Sequence, residues 1–285
     1  MNKNRILRKI WYGLSSKQRY TVRRLYYYPQ DLLDAFTGKT HEFVPPRGKI
    51  FTGSPASAQN FISQSNHQLE ILKNETGLVP SDAILDIGCG IGRTAISLTQ
   101  YLDKDGKYEG FDVVKEGIDW CNSKFKKKHS NFNFTYIPLH NDLYNSSGNA
   151  AEDFIFPYPE NSFDKIFSFS VFTHMGITEI QNYLKEIQKT LTKDGLCLST
   201  FFLYDDTDED YITNAQRFGF PFKADGYRLM NEKVKSGNIA ISKQKLHEMA
   251  KASNLQITNI IDGFWKDEIR NTDKIEYQDI VVFKK

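Results

Sequence analysis

One glycine-rich stretch, Ala83 to Ser97 (AILDIGCGIGRTAIS), constrains the fold more than any other part of this 285-residue chain. Its largely apolar run Ile84–Ile87 is typical of a buried parallel strand. The glycines at 88, 90 and 92 indicate a tight turn, and apolar residues then recur at helical spacing from Arg93 to Tyr101. A strand, a glycine turn and a helix present backbone N–H groups and a positive helix end to a ligand. The pattern predicts an α/β domain with a ligand at this turn; a turn whose glycines serve only packing is the alternative.

Two features indicate which kind of ligand this turn would bind. Arg93 stands where the dinucleotide motif G-x-G-x-x-G has its third glycine, which argues against a nicotinamide cofactor. Asp86, at the strand end, would repel a pyrophosphate but suits a ligand with an ammonium group. The next predicted strand, Lys107–Asp112, ends in a second carboxylate at about the distance where such folds bind ribose hydroxyls.

Four segments together resemble one known family. LDIGCGIG, GFDVV, NSFDKIFSFSVFTHM and LTKDGLCLSTFF are similar, in this order, to motifs of the class I S-adenosylmethionine-dependent methyltransferases, and the resemblance covers roughly Pro80 to Lys285. It implies an α/β, Rossmann-like fold with a seven-stranded, mostly parallel, doubly wound sheet and one antiparallel strand near the C-terminus. It also implies S-adenosyl-L-methionine as the cofactor.

The resemblance implies a set of cofactor-binding residues in the loops after the first four strands. These are Asp86, Gly88, Cys89, Gly90, Arg93, Asp112, Val113, Asn141, Asp142 and Ser170. Many relatives bind the adenine amino group with an acidic residue directly after strand three. Here Pro138 stands at that position, so we expect Asp142 or Asn141 to supply the contact.

Three residues are candidates for activating the methyl acceptor. His174 follows strand four, which ends beside the transferred methyl group in this fold, and imidazole is a suitable base near neutral pH. A histidine packed under the next helix is the alternative. His140 is a second candidate base, and Asp205, after strand five, would orient a histidine.

The sequence leaves three interpretations of the function open. The SVFTHM stretch resembles bacterial polysaccharide-associated methyltransferases, and an aromatic-rich segment from Tyr211 to Ile239 would stack on a sugar ring, which favours O-methylation of a sugar or glycan. The alternatives are a different small-molecule or lipid acceptor, or a protein that binds S-adenosylmethionine without catalysing transfer.

Composition excludes several classes of partner. A net charge of +2 argues against a nucleic acid as partner. The three scattered cysteines, Cys89, Cys121 and Cys197, show no metal-ligand or redox spacing, so we expect no essential metal and a reducing, cytoplasmic location. No apolar run approaches membrane-spanning length, and the basic N-terminus lacks the continuous apolar core of a signal peptide. The oligomeric state is not determined by these features.

The chain divides into an N-terminal extension and a methyltransferase domain. Residues 1–55 form a predicted basic helical extension and loop, and residues 56–285 the domain, with insertions at 138–161 and 204–240. We interpret the second insertion as a substrate cover.

Residues 1–28 contain eight basic residues and no acid, and apolar residues fall on one side of a predicted helix: Ile6, Leu7, Ile10, Trp11 and Leu14. This helix either contacts an anionic membrane, which would make the protein membrane-proximal, or packs on the domain.

Further elements are predicted from periodicity. A second short helix is expected over Tyr26–Pro29 and Asp31–Phe36, ending at Gly38, and a long one over Ala56–Thr76 that ends at Gly77. Near the C-terminus, Leu255–Ile261 and Glu276–Phe283 are predicted to pair as the closing strands.

Overall fold

The computed structural model describes residues 14–51, 57–141, 148–215, 218–232, 234–266 and 275–285. Asp142 and most of the predicted first helix, including Ile6 to Trp11, lie outside the described residues. The α-helices are α1 Ser16–Phe36, α2 Ala58–Thr76, α3 Arg93–Tyr101, α4 Lys115–Lys124, α5 Ile177–Thr190, α6 Glu209–Asn214 and α7 Lys243–Ala252. The strands are β1 Ala83–Ile87, β2 Lys107–Asp112, β3 Phe132–Tyr136, β4 Phe163–Ser168, β5 Leu191–Phe201, β6 Leu203–Tyr204, β7 Phe222–Ala224, β8 Tyr227–Leu229, β9 Ile239–Ser242, β10 Gln256–Ile261 and β11 Asp279–Lys284.

Seven of these strands form the central sheet, in the order β10-β11-β5-β4-β1-β2-β3. The pairs from β5 to β3 are parallel, and β11 runs antiparallel to both of its neighbours. This confirms the predicted seven-stranded, mostly parallel sheet with one antiparallel strand near the C-terminus. The order reverses between β4 and β1, and ligands of open α/β sheets bind at such a point, beyond the carboxyl ends of the strands.

Each face of the central sheet is covered by its own apolar core. Along β1, Leu85 and Ile87 face a core shared with α5 and α7, whereas Ile84 faces a second core shared with α2, α3 and α4. Because side chains alternate between the two faces of a strand, Asp86 lies on the same face as Ile84. The all-round burial of β1 explains why its sequence reads as a nearly continuous apolar run.

The N-terminal region differs from the prediction of a first helix followed by a short separate one over Tyr26–Pro29 and Asp31–Phe36. A single helix, α1, runs from Ser16 to Phe36 and contains Pro29. Proline removes one backbone donor and usually ends or kinks a helix. Here contacts on both sides of the proline hold the helix to the domain: Arg24 Nη2 lies 2.8 Å from Glu116 Oε2, and Asp31 accepts from the Arg47 N–H at 2.7 Å.

The remaining predicted elements agree with the structure to within a few residues, with one exception. From the sequence, Lys193-Asp-Gly195 is predicted to be a turn that leads into a strand over Leu196–Leu203. Instead β5 begins at Leu191, and its register with β4 shifts between Phe163, which pairs with Leu191, and Lys165, which pairs with Leu196. The glycine at 195 therefore lies in an irregular part of the strand, which sequence periodicity does not distinguish from a turn.

A second, four-stranded sheet, β6-β9-β8-β7, is formed by the segment that follows β5. It packs on its own apolar cluster, which includes Phe202, Phe220 and Trp265. We call this segment, residues 203–242, the cover. It corresponds closely to the predicted insertion at 204–240.

A buried ion pair joins the cover to the main sheet. Lys266 is completely buried, and its Nζ donates to Asp208 Oδ2 at 2.8 Å and to the Leu203 carbonyl at 2.7 Å. Beside it, buried Asp279 accepts from the Leu203 N–H at 2.6 Å and from Trp265 Nε1 at 2.8 Å. Since a buried charge is tolerated only when it is paired and hydrogen-bonded, these contacts fix where the cover attaches.

Replacing Asp208 by alanine is therefore expected to lower the free energy of unfolding by about 3–5 kcal/mol, because Lys266 would stay buried without the carboxylate to which it donates directly. Urea unfolding followed by circular dichroism measures the change. Asp210→Ala, at an exposed position two residues away, is the matched control and should change the free energy by less than about 0.5 kcal/mol. Equal effects of the two substitutions would contradict a structural role for the pair.

Candidate functional site

A cavity of about 390 Å³ lies at the carboxyl ends of the central strands. It is bordered by the glycine turn after β1, the end of β2, the segments after β3 and β4, and residues from the cover. Its size is within the range of small-molecule sites, and its position is where open α/β sheets bind ligands.

The glycine turn forms one wall of this cavity. Gly88, Gly90 and Gly92 have φ angles of +72°, +58° and +77°, a region that residues with a side chain rarely adopt. The N–H groups of Gly88 and Cys89 both donate to the Phe111 carbonyl, at 2.9 and 3.0 Å. These bonds join the turn to β2, so the N-terminus of α3 is held against the cavity.

Asp86 lines the cavity as a buried carboxylate. Its side chain is 3 % exposed, and Oδ2 accepts from the Tyr108 hydroxyl at 2.6 Å. Burial raises the pKa of Asp86 to about 7, and the nearby carboxylate of Asp112 also raises it, while the Tyr108 hydrogen bond opposes the shift. An ammonium group beside Asp86 would favour its ionised form. That Asp86 faces such a ligand stays a prediction.

Asp112, at the end of β2, is held by two backbone donors. Oδ2 accepts from the Gly90 N–H at 2.8 Å, and Oδ1 accepts from the Val114 N–H at 2.7 Å. Burial raises the pKa of this carboxyl to about 6, against these hydrogen bonds. A carboxylate oxygen accepts more than one hydrogen bond, so both oxygens retain acceptor capacity for hydroxyls of a ligand.

Three further predicted cofactor residues also line the cavity. Arg93, the first residue of α3, has its guanidinium carbon 5.0 Å from the Phe61 ring centre, and burial lowers its pKa. Cys89 is buried, and burial raises the pKa of its thiol, which suits a small residue in a tight turn and not a nucleophile. Val113 borders the cavity next to Asp112.

The second residue after β4 carries backbone strain at the cavity wall. Ser170 has a φ of +59°, and its N–H donates to Thr200 Oγ1 at 2.7 Å. Its hydroxyl donates to Gln278 Oε1 at 2.9 Å, and Thr200 donates to the same oxygen at 2.7 Å. A serine with a positive φ has a strained backbone, and this conformation persists only where neighbouring contacts hold it. Such residues are enriched in functional sites.

Of the two candidates for the adenine contact, one can be placed. Asn141 lines the cavity, and its Nδ2 donates to the His174 carbonyl at 3.2 Å. Asp142 lies outside the described residues.

His174 lies at the cavity in a short turn after β4. Its Nδ1 is 2.8 Å from the carbonyl oxygen of Ser236 in the cover. A carbonyl oxygen only accepts hydrogen bonds, so Nδ1 carries the proton and, in the neutral ring, Nε2 has the lone pair. Burial lowers the pKa of His174, although the hydrogen bond to Ser236 opposes this, so the ring is neutral at pH 7.

The other two catalytic candidates are placed differently. His140 lines the cavity at an exposed position. Asp205 is not among the described residues that line it; its carboxylate accepts from the Thr207 N–H at 3.1 Å and lies 3.9 Å from Lys243 Nζ. Asp205 thus begins a short turn of the cover, because a carboxylate after a strand readily accepts the free N–H groups of the turn that follows.

Several cavity residues were not predicted. The most distant in sequence are Gln68 of α2, whose Oε1 accepts from the Thr94 hydroxyl at 2.8 Å, and Tyr277 and Gln278 before β11. Phe218 and Asn238 also line the cavity, and both belong to the segment that the sequence predicts to be a substrate cover. Gln68 lies on the buried face of α2 together with Ser65 and Thr76, so its polarity alone does not mark a site.

The described residues contain no group of three or more histidine, cysteine, aspartate or glutamate side chains arranged to hold a metal ion. In the part of the chain that the structure describes, no helix has both the length and the apolar composition needed to cross a membrane.

Residues 84–195 match the family of methyltransferase domains. Two curated proteins are similar to part of the chain. One is a sphingolipid C9-methyltransferase of Gibberella zeae, which is 28 % identical over 48 % of this chain and 23 % of its own length. The other is a tRNA N(3)-cytidine methyltransferase of Bos taurus, which is 26 % identical over 50 % of this chain and 36 % of its own length. The chain thus spans about a quarter to a third of the length of these relatives.

Among solved structures, an S-adenosylmethionine-dependent methyltransferase from Mesorhizobium loti superposes with a TM-score of 0.53 at 12 % identity, covering 77 % of this chain and 98 % of that one. The chain has the Rossmann-like fold of the class I S-adenosylmethionine-dependent methyltransferases. S-adenosylmethionine is the cofactor that the family match supports. The cavity fits it: buried carboxylates at Asp86 and Asp112 suit its ammonium group and its ribose diol.

Because Asp112 contacts both the glycine turn and the expected diol, Asp112→Ala should weaken binding of S-adenosylhomocysteine about ten- to a hundredfold, the range for a lost hydrogen bond to a charged group. Isothermal titration calorimetry measures the affinity. Asp119→Ala, whose carboxylate is in an exposed pair with Lys115, is the control and should bind normally. An unchanged affinity of the Asp112 variant would refute the assignment.

The raised pKa of Asp86 predicts a second, pH-dependent effect. A cationic ligand binds the ionised carboxylate, so with a pKa of about 7 the affinity for S-adenosylhomocysteine should rise roughly tenfold between pH 6 and pH 8. Calorimetry at pH 6, 7 and 8 tests this. Asp86→Asn removes the titrating group and should bind more weakly, with a flatter profile; a flat wild-type profile would show that Asp86 does not face the ligand's charge.

Proposed function

We propose that this protein transfers a methyl group from S-adenosylmethionine to a hydroxyl group of a sugar or glycan, with His174 as the base. The observation that carries the proposal is the hydrogen bond from His174 Nδ1 to the Ser236 carbonyl at the cavity. S-adenosylmethionine, when bound, supplies a methyl group already activated by its sulfonium. The protein has then to orient the acceptor hydroxyl, exclude water and remove one proton.

His174 meets the chemical requirements of that base. With Nδ1 donating to a carbonyl, Nε2 is the nitrogen that accepts a proton, and the lowered pKa keeps the ring neutral at physiological pH. Its backbone is also fixed, because its N–H donates to the Val171 carbonyl at 2.9 Å and its carbonyl accepts from Asn141. A base held at both backbone and ring loses little freedom when the acceptor binds.

The remaining cavity wall supports a sugar acceptor. Phe218 and Tyr277 pack edge to face with ring centres 5.7 Å apart, and both line the cavity. Asn238 and Gln278 add amide groups beside these rings. An aromatic surface next to a few polar groups suits a pyranose, which has an apolar C–H face and a rim of hydroxyls.

A second acceptor class, a lipid or another small molecule, is favoured by a different observation. Much of the wall around His174 is apolar, including Phe202, Phe169 and Met175. One of the curated relatives is named as a sphingolipid methyltransferase. We keep this as the alternative, together with a protein that binds S-adenosylmethionine and transfers no methyl group. A cytoplasmic location and the absence of a nucleic-acid partner belong to the same proposal.

The acceptor classes are separated by incubating the protein with S-adenosylmethionine and panels of glycosides, phenols and lipids, and reading methylated products by mass spectrometry. Turnover of glycosides alone supports the sugar assignment, and turnover of lipids or phenols alone replaces it. If S-adenosylhomocysteine binds and no acceptor is methylated, the non-catalytic interpretation is correct.

On the acceptor found, His174→Ala should lower kcat about 10²–10⁴-fold, the usual contribution of a general base, and leave the affinity for S-adenosylhomocysteine within about twofold. The wild-type rate should rise with pH and level off at a lower pH than a histidine with an ordinary pKa would give, because burial lowers the pKa of this base. His140→Ala tests the second candidate base. His247→Ala, at an exposed position of α7, is the control. Wild-type turnover in the His174 variant would exclude it as the base.

A further inference from the structure

Helix α1 is oriented with its polar side toward the domain. Asp34 is buried, and its carboxylate lies 2.7 Å from Arg47 Nε, while Asp31 accepts from the N–H groups of Arg47 and Gly48 at 2.7 and 3.1 Å. Arg24 bonds to Glu116 of α4 at 2.8 Å. Helices on a globular domain normally bury their apolar side, so this orientation is reversed.

The apolar side of α1 is correspondingly exposed. Leu25, Tyr26 and Phe36 are 71 %, 76 % and 88 % exposed. Residues spaced by three or four positions form one stripe along the helix, which we call the outer stripe: Val22, Leu25, Tyr26, Pro29, Leu32, Leu33 and Phe36. A contiguous apolar stripe of this kind on a solvent-facing helix indicates a binding surface.

Charge indicates what kind of surface would cover it. The first thirty residues contain no acid and eight basic residues: Lys3, Arg5, Arg8, Lys9, Lys17, Arg19, Arg23 and Arg24. The two acids of α1, Asp31 and Asp34, both bond inward, so no carboxylate of the helix lies on the outer stripe. Exposed Lys39 follows its C-terminal end. An apolar stripe in a strongly basic segment suits an anionic lipid surface.

We propose that α1 lies in the headgroup region of an anionic membrane, with the outer stripe turned toward the acyl chains. The exposed tyrosines support this depth, because tyrosine is enriched where an apolar region meets water. The helix is also joined to the active-site cavity: the rings of Tyr20 and Phe51 are 5.8 Å apart, and Phe51 lines the cavity. Membrane binding would therefore bring the cavity close to the lipid surface.

The proposal is tested by co-sedimentation of the full chain with vesicles of phosphatidylcholine alone and of phosphatidylcholine and phosphatidylglycerol in equal parts. The wild-type protein should bind the anionic vesicles, and far less at high ionic strength or on neutral vesicles. A triple variant, Leu25→Ser, Leu33→Ser and Phe36→Ser, should lose at least about tenfold in partitioning, because three apolar side chains no longer enter the membrane.

Ile155→Ser is the matched control, since Ile155 is 66 % exposed but lies away from α1. It should bind vesicles as the wild-type protein does, and thermal unfolding should show both variants folded. Absence of vesicle binding by the wild-type protein, or equal binding by the triple variant, would overturn the proposal. Light scattering that shows a wild-type dimer converted to a monomer by the triple substitution would also overturn it, in favour of a second copy on the outer stripe.

Discussion

The bond between the Asp112 carboxylate and the glycine turn is the interaction on which the site depends. One oxygen binds the Gly90 N–H and the other the Val114 N–H, so a single side chain at the end of β2 holds the turn after β1 and the start of α4. This glycine turn then positions the N-terminus of α3. Burial makes the carboxylate costly to ionise, as its raised pKa shows, and a ligand that donates hydroxyls or carries positive charge recovers that cost.

The cover completes this site from the other side. Its Ser236 carbonyl determines which nitrogen of His174 carries the proton, and its Phe218 and Asn238 border the cavity. The cover is attached through the buried charges of Lys266, Asp208 and Asp279, and Asp279 directly follows Gln278 of the cavity wall. One segment therefore both borders the cavity and sets the tautomer of His174.

Much of the fold followed from local patterns. The strand, glycine turn and helix from β1 to α3 agree with the prediction because their signals are local: apolar runs, glycines that permit positive φ, and helical periodicity. Helix α1 was not predicted as one continuous element, because the inward contacts of Asp31 and Arg24 that hold it together cannot be seen in the sequence. Gln68 and Gln278 were missed because nothing near them in sequence marks a site.

By itself, the sequence determined the order of strands and helices, the glycine turn and the carboxylates Asp86 and Asp112, since each depends on residues within one short segment. Only the tertiary structure decided the tautomer of His174, the removal of Asp205 from the cavity wall and the outward orientation of the apolar side of α1. These depend on contacts between distant segments, such as His174 with Ser236, and packing alone determines which distant groups meet.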